Sequence, residues 1–222
     1  MSQVYIHIGC HKTGTSYLQE YFFPNIKDIM YYYKTHNYDR IPDLGLPILI
    51  SDEEISMSLP HKSDDYLELL KLYKTYPDAK IIIGVRDYKT WFKSCYAQYI
   101  KSGGYMTFKQ YKYRYLKTTP SPGDIFQFVV DEWGIENVIL YHQEELLYNK
   151  DEMLKFICDS MEVEMPRYET KVVNVAIKNL KFWRLVNILL RGEFLRKHIE
   201  SPWWIITFIP RQFAAIKEAL NG

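Results

Sequence analysis

Residues 4 to 19 read VYIHIGCHKTGTSYLQ, and no other stretch limits the fold as much. A short apolar run from Val4 to Ile8 predicts a buried strand, and Thr15 to about Ile29 predicts a helix. Between them Gly9 and Gly14 let the backbone turn tightly and aim successive N–H groups inward, where the helix start adds positive potential. Lys12 adds a mobile ammonium, and Thr13, Thr15 and Ser16 add hydroxyl donors. A plain strand-to-helix turn with a Ser or Thr cap leaves the lysine inside the turn unexplained. A chain that opens strand, anion-binding loop, helix is an α/β chain with a phosphate-type site.

The alternation continues. Pro47 to Ile50 reads as a strand ending in SDEE, and DDYLELLKLYKTYP spaces Tyr66, Leu69, Leu70 and Tyr73 as a helix does. KIIIGV is the next strand, followed by a helical stripe of Tyr88, Trp91, Phe92, Cys95 and Tyr99 that Gly103-Gly104 ends. After the loop TTPSPGD a helix runs through Phe126, Val129, Val130 and Trp133, and NVILYH supplies another strand. Strands and helices in this order predict an α/β fold with a mostly parallel sheet flanked by helices. Its ligands should bind at the carboxyl ends of the strands. GCHKTGTS, SDEE and RDYKTW each follow a strand, so they should converge on one sheet edge. Beyond Asp151 the pattern turns helical, and AIKNLKFWRLVNILLRG is amphipathic with Gly192 as its stop. The expected organisation is one domain, 1–222, with an α/β core over 1–150 and a mainly helical C-terminal cap over 151–222.

Charge and composition narrow the function. A formal net charge of +1 over 222 residues argues against a general nucleic-acid surface, so an anion site must be built locally. Three cysteines without metal-type spacing fit reduced thiols. The start MSQVYIHIG lacks a secretory leader pattern, which predicts a cytoplasmic protein. WWIITFI is far below the ~20 residues that span a bilayer; it is expected in the core or a dimer contact, with peripheral membrane contact as the alternative. The oligomeric state stays open.

An ATP or GTP loop needs lysine immediately before the magnesium-binding Ser or Thr, in GxxxxGK[ST]. Here Lys12 comes too early, and Asp87, the acidic residue after the third strand, follows an arginine and makes a poor magnesium partner. The stretch HIGCHKTGTSYLQ instead resembles the phosphosulfate-binding loop of sulfotransferases that use 3′-phosphoadenosine 5′-phosphosulfate (PAPS), in their compact bacterial branch. The resemblance implies a P-loop NTPase-like sulfotransferase fold. It also implies that Lys12 contacts the 5′-phosphosulfate and stabilises the leaving group, and that Thr13, Gly14, Thr15 and Ser16 complete the cradle. A second stretch, IIIGVRDYKTWFKSCYAQY, is similar to the family's 3′-phosphate motif and carries that role to Arg86 and Ser94. The physics agrees, because a guanidinium fork pairs with phosphate oxygens and a helix serine adds a donor. The family's usual Asn-Pro after the arginine is Asp87-Tyr88 here. NVILYHQEEL resembles the late strand and acidic-leucine turn, and YETKVVNVAIKN resembles the segment returning to the nucleotide, with Lys171 and Asn174 as the contacts. The resemblance runs from about Val4 to Asn179.

Sulfuryl transfer to an alcohol or amine requires in-line attack, a base for the acceptor proton and positive charge at the departing phosphate. In the bacterial and glycan branches a glutamate stands after the strand that ends here in SDEE. Glu53 matches it, with Asp52 and Glu54 as alternatives and a solvated acidic helix start as the plainer reading. His11 adjoins the loop lysine and is a further catalytic candidate; His7 reads as structural, and His61 as a surface residue or second-line base. The resemblance implies no metal. It suggests a carbohydrate or glycolipid hydroxyl as acceptor, with contacts expected from 31–47 and 96–115. Two rivals stand beside this reading: a small-molecule kinase with a degenerate loop, and a non-catalytic protein that binds PAPS or a partner.

Overall fold

The computed structural model describes residues 2–35, 41–55, 67–116, 119–168 and 179–191. Five strands form one parallel sheet: β1 (Val4–His7), β2 (Met30–Tyr33), β3 (Ile48–Ser51), β4 (Lys80–Val85) and β5 (Val138–His142). Their spatial order is β2-β3-β1-β4-β5, so the first strand is central. Register is continuous across the middle, with Ile6 opposite Ile50 on one side and Ile81 on the other.

Because side chains alternate across a strand, each strand feeds two cores. Ile6, Ile8, Ile48, Ile50, Ile81 and Ile83 face one core. There they meet α2 (Leu67–Thr75), α3 (Tyr88–Lys101) and α5 (Pro122–Trp133) through Leu69, Leu72, Trp91, Phe92, Ile125 and Val129. Tyr5, Leu49, Ile82, Ile139 and Tyr141 face the other. That face is covered by the helical segment beginning with α1 (Thr15–Tyr17), together with α6 (Gln143–Tyr148) and α7 (Lys150–Ser160). A sheet buried on both sides explains why its strands read as apolar runs rather than half-polar alternation. The connection from β1 leads to a helix on one face and those from β3 and β4 to helices on the other. Their crevice opens at the carboxyl end of β1, where parallel sheets bind ligands.

Several boundaries depart from the sequence reading. The first helix is shorter: α1 widens into a π-helical turn, Leu18–Phe22, and closes as a 3-10 turn, Phe23–Asn25. The next residues form β2, an edge strand whose MYYY sequence carries no apolar alternation to announce it. Part of the 31–47 segment is therefore sheet, and Tyr31 spends its hydroxyl on the Gln19 carbonyl at 2.9 Å. In α2 it is Leu72, beside Leu69, that is buried.

The 96–115 region holds an additional helix, α4 (Phe108–Tyr115), started by a capping box of Thr107 and Gln110. Its rings pack against α3, with Tyr96 and Tyr99 centred 5.4 and 5.1 Å from Tyr111. Tyr96, Tyr99 and Tyr111 are core, while Tyr105, Phe108 and Tyr113 stay exposed. Finally α8 (Leu180–Arg191) packs on α3, and Asn187 donates to the carbonyls of Ile100 at 2.8 Å and Gly104 at 2.7 Å. No helix among the described residues is long and apolar enough to cross a membrane. Lys171, Asn174, His61, Gly192 and the WWIITFI stretch lie outside the described residues.

Candidate active site

The loop between β1 and α1 is shaped by two left-handed residues flanking Thr13: Lys12 at φ 70° and Gly14 at φ 93°. At position 14 only glycine fits freely, since a Cβ there meets Leu146 of α6 at 2.6 Å. Lysine in this region carries a cost of ~1–2 kcal/mol, and the loop is held by contacts from both sides. Thr13 is fully buried and its hydroxyl donates to the Cys10 carbonyl at 2.5 Å. The hydroxyl expected at the ligand turns inward here, so it is the Thr13 backbone that faces the loop's concave side. The Thr15 hydroxyl is likewise engaged, donating to Glu53. Ser16 is half-buried at the start of α1. Burial pushes the Cys10 thiol up to about 12, which leaves it an inert core residue.

From the other side of β1, α3 grips the loop. Its N-cap is Asp87, whose carboxylate accepts from the Thr90 N–H at 3.0 Å; the residue that made a poor magnesium partner in sequence is a helix cap. Arg86 donates from Nη1 to the Lys12 carbonyl at 3.1 Å and from Nε to Thr90 Oγ1 at 3.2 Å. Trp91, fully buried, donates its indole N–H to the His11 carbonyl at 2.9 Å. The Lys12 ammonium donates to Gln98 Oε1 at 2.9 Å. Thr90, Ser94 and Gln98 are spaced four apart and share one helix face, so half-buried Ser94 lies between the residues that hold Arg86 and Lys12. Burial lowers the Lys12 pKa first; Lys101 and Arg86 act in the same direction, while Cys95 and Glu53 oppose it.

The acidic run after β3 resolves into three roles. Asp52 is buried and accepts from the Glu54 N–H at 2.9 Å, closing the turn. Glu54 is mostly exposed and lies 3.9 Å from Lys34. Glu53 points to the loop: besides Thr15, it lies 3.9 Å from His11 Nδ1 and 3.7 Å from Lys34 Nζ. Its side chain is 15% exposed, shielded yet reachable. Burial lowers the His11 pKa against the pull of Glu53, which keeps the ring neutral near pH 7. For Lys34 burial works against the charge, but Glu53 and its neighbours outweigh it and raise the pKa.

The three clusters expected to converge do so, around two cations, a carboxylate and a tight loop. Residues 66–146 match the sulfotransferase domain family. Over those residues the chain is similar to a sulfotransferase domain. The fold agrees. A sulfotransferase from Alicyclobacillus acidocaldarius is 16% identical, with a TM-score of 0.55 covering 91% of this chain and 99% of that one. A mouse sulfotransferase crystallised with PAP is 17% identical, with a TM-score of 0.53 covering 90% of this chain and 67% of that one. No curated protein sequence matches the chain. The family match points to a transferase, and the solved structures share its fold.

Sequence reading missed four residues that shape the site: Lys34, Thr90, Trp91 as a loop donor, and Gln98. Spacing on α3 held a signal for two of them, because Thr90 and Gln98 stand one turn before and one turn after Ser94. Lys34 held none, since its position depends on an edge strand that the sequence does not announce.

Proposed function

We propose that the protein transfers a sulfuryl group from PAPS to an acceptor hydroxyl. The observation that carries this reading is the double anchoring of one loop: Arg86 binds the Lys12 carbonyl, while Glu53 on the opposite side touches Thr15 and faces His11. Two phosphate-grade cations and a base are thus gathered about a tight, lysine-bearing turn whose lysine precedes the nucleotide-kinase position. The residues fit the donor. Lys12 and the amides of Thr13, Gly14, Thr15 and Ser16 suit the 5′ side, and Arg86 with Ser94 suits a 3′-phosphate. Lys171 and Asn174 complete the proposed donor contacts at the nucleotide end.

When bound, PAPS supplies the sulfuryl group and leaves as adenosine 3′,5′-bisphosphate. Lys12 provides positive charge at the departing phosphate oxygen. Glu53 accepts the proton of the attacking hydroxyl, with the neutral His11 ring at its side to share it. Lys34 holds Glu53 from the flank opposite α3, which makes β2 the acceptor side of the crevice. The glutamate-type arrangement favours a carbohydrate or glycolipid hydroxyl as acceptor. One domain acting in the cytoplasm without a metal completes the proposal.

Calorimetric titration tests the donor. Adenosine 3′,5′-bisphosphate should bind the parent tightly and Arg86→Ala at least ~10-fold more weakly, as expected when a charge-assisted phosphate contact is lost. Magnesium-ADP should bind poorly to both. Preference for magnesium-ADP, or no binding at all, sinks the reading. With the donor established, bisphosphate release in a screen of sugar and glycolipid acceptors tests the second half.

A further inference from the structure

Beneath the loop, on the face covered by α1, a row of buried polar groups crosses the sheet at the carboxyl ends of three strands. Gln19 Nε2 donates to Ser51 Oγ at 3.2 Å. Ser51 Oγ lies 2.7 Å from His7 Nδ1, and His7 Nε2 lies 3.2 Å from the Tyr141 hydroxyl. Tyr141 bonds to the Thr13 side chain, and Thr13 donates to the Cys10 carbonyl at 2.5 Å. His7, Ser51, Thr13 and Tyr141 are all fully buried, and Gln19 is 2% exposed.

Ser51 has a further partner, the Tyr31 hydroxyl of β2, whose own proton goes to the Gln19 carbonyl at 2.9 Å. A carbonyl only accepts, so Thr13 donates to Cys10. The row thus joins β2, β3, β1 and β5 to the loop, and each buried polar side chain in it has a hydrogen-bond partner. Two glycines make the room: a Cβ at Gly84 would stand 2.7 Å from Thr13 Oγ1, and one at Gly9 would stand 2.8 Å from His7 Nε2 and 3.0 Å from the Tyr141 hydroxyl.

We propose that this hydrogen-bonded row, linking Gln19, Ser51, His7, Tyr141 and Thr13 to the Cys10 carbonyl, locks the anion-binding loop in its binding conformation. His7 and Tyr141 are its positioning residues. The inference rests on reading the loop as the donor-phosphate site. The chain ties the turn between Cys10 and Thr13 to β3 and β5, and Thr13 sits between the two left-handed residues of the loop. Pulling its side chain inward leaves the loop backbone and Lys12 for the anion. A loop already held in shape binds its anion without the cost of ordering it.

The test uses the full chain and two kinds of reading. Nitrogen NMR of the His7 ring, assigned by loss of its signals in His7→Gln, should show a neutral ring with both nitrogens hydrogen-bonded. Amide hydrogen exchange across residues 10–16 and bisphosphate affinity by calorimetry are then compared in Tyr141→Phe, Thr13→Val and Thr13→Ser. Loss of the hydroxyl in either of the first two should speed loop exchange and weaken bisphosphate binding about tenfold or more, the scale of an unmet buried hydrogen bond. Thr13→Ser, which restores the hydroxyl, should recover both. A His7 ring nitrogen without a hydrogen bond, or unchanged loop exchange in both Tyr141→Phe and Thr13→Val, overturns the row; if Tyr141→Phe does not fold, the Thr13 pair and the ring nitrogens decide. A parent that binds no bisphosphate defeats the donor reading instead, while the ring and exchange measurements still judge the chain.

Discussion

Glu53 is held by residues from two other segments, His11 and Thr15 of the loop and Lys34 after β2. Glu53→Gln keeps the size and a hydrogen-bond acceptor for Thr15 while removing the base. Turnover should fall ~10²–10⁴-fold with bisphosphate affinity retained, measured by initial rates beside calorimetry; unaffected turnover would move the proton to His11. A second residue-scale prediction concerns acid. Burial lowers the His7 pKa from 6.5 to about 3. Between those values the unfolded chain binds the proton that folded His7 refuses, so the contribution of His7 is complete above about pH 6.5 and is lost as pH falls toward 3. The slope reaches ~1.4 kcal/mol per pH unit. Urea unfolding at several pH values from 7 to 4 should give a flatter pH dependence for His7→Gln than for the parent; parallel curves would contradict it.

At the scale of elements, α3 connects the site to the rest of the molecule. Arg86 and the Asp87 cap lead into it, its length carries the Thr90, Ser94 and Gln98 face, and its end is closed by Asn187 of α8. Asn187→Leu takes a buried donor from the Gly104 carbonyl and from the Ile100 carbonyl, which keeps only the backbone N–H of the turn after α3, and should cost ~1–3 kcal/mol, read as a lower urea midpoint with unchanged slope. Gly84→Ala in β4 should be worse, because its Cβ has to displace the Tyr141 ring and the Thr13 hydroxyl together. Soluble yield and thermal melting check this; a variant as stable as the parent would mean that the strand and β5 separate more easily than their close packing implies.

The two cores share one sheet, so the whole molecule gains stability when a ligand fastens the edge where both meet. Bisphosphate at 100 times its Kd should add ~2.7 kcal/mol. For a chain of this length that corresponds to about 5–10 °C in melting temperature, and Arg86→Ala should remove most of the gain. A shift of the same size in Arg86→Ala would place the binding elsewhere. Much of the architecture was legible from the chain alone. β1, β3, β4 and β5 were announced by apolar runs, and α3 and α5 by helical stripes. β2 and α4 were not, because neither MYYY nor the polar-aromatic FKQYKYRY has the periodicity of a one-sided element; β2 is an edge strand completed by β3, and α4 is built on ring-to-ring packing with α3.

What the sequence determined by itself was the order of the four apolar strands and of the helices with clear stripes, the anion loop with its early lysine, and the arginine and serine that follow the KIIIGV strand. These are local matters of spacing, backbone freedom and donor type. Tertiary structure decided which member of the acidic run faces the loop, because Asp52, Glu53 and Glu54 differ only in the direction each side chain takes from the end of β3. It also decided that Thr13 turns inward, that Lys34 reaches the base and that His7 joins a chain spanning three strands. Those assignments depend on which strands become neighbours and in what register, and contacts between residues as far apart as His7 and Tyr141 leave no periodic trace in the chain that makes them.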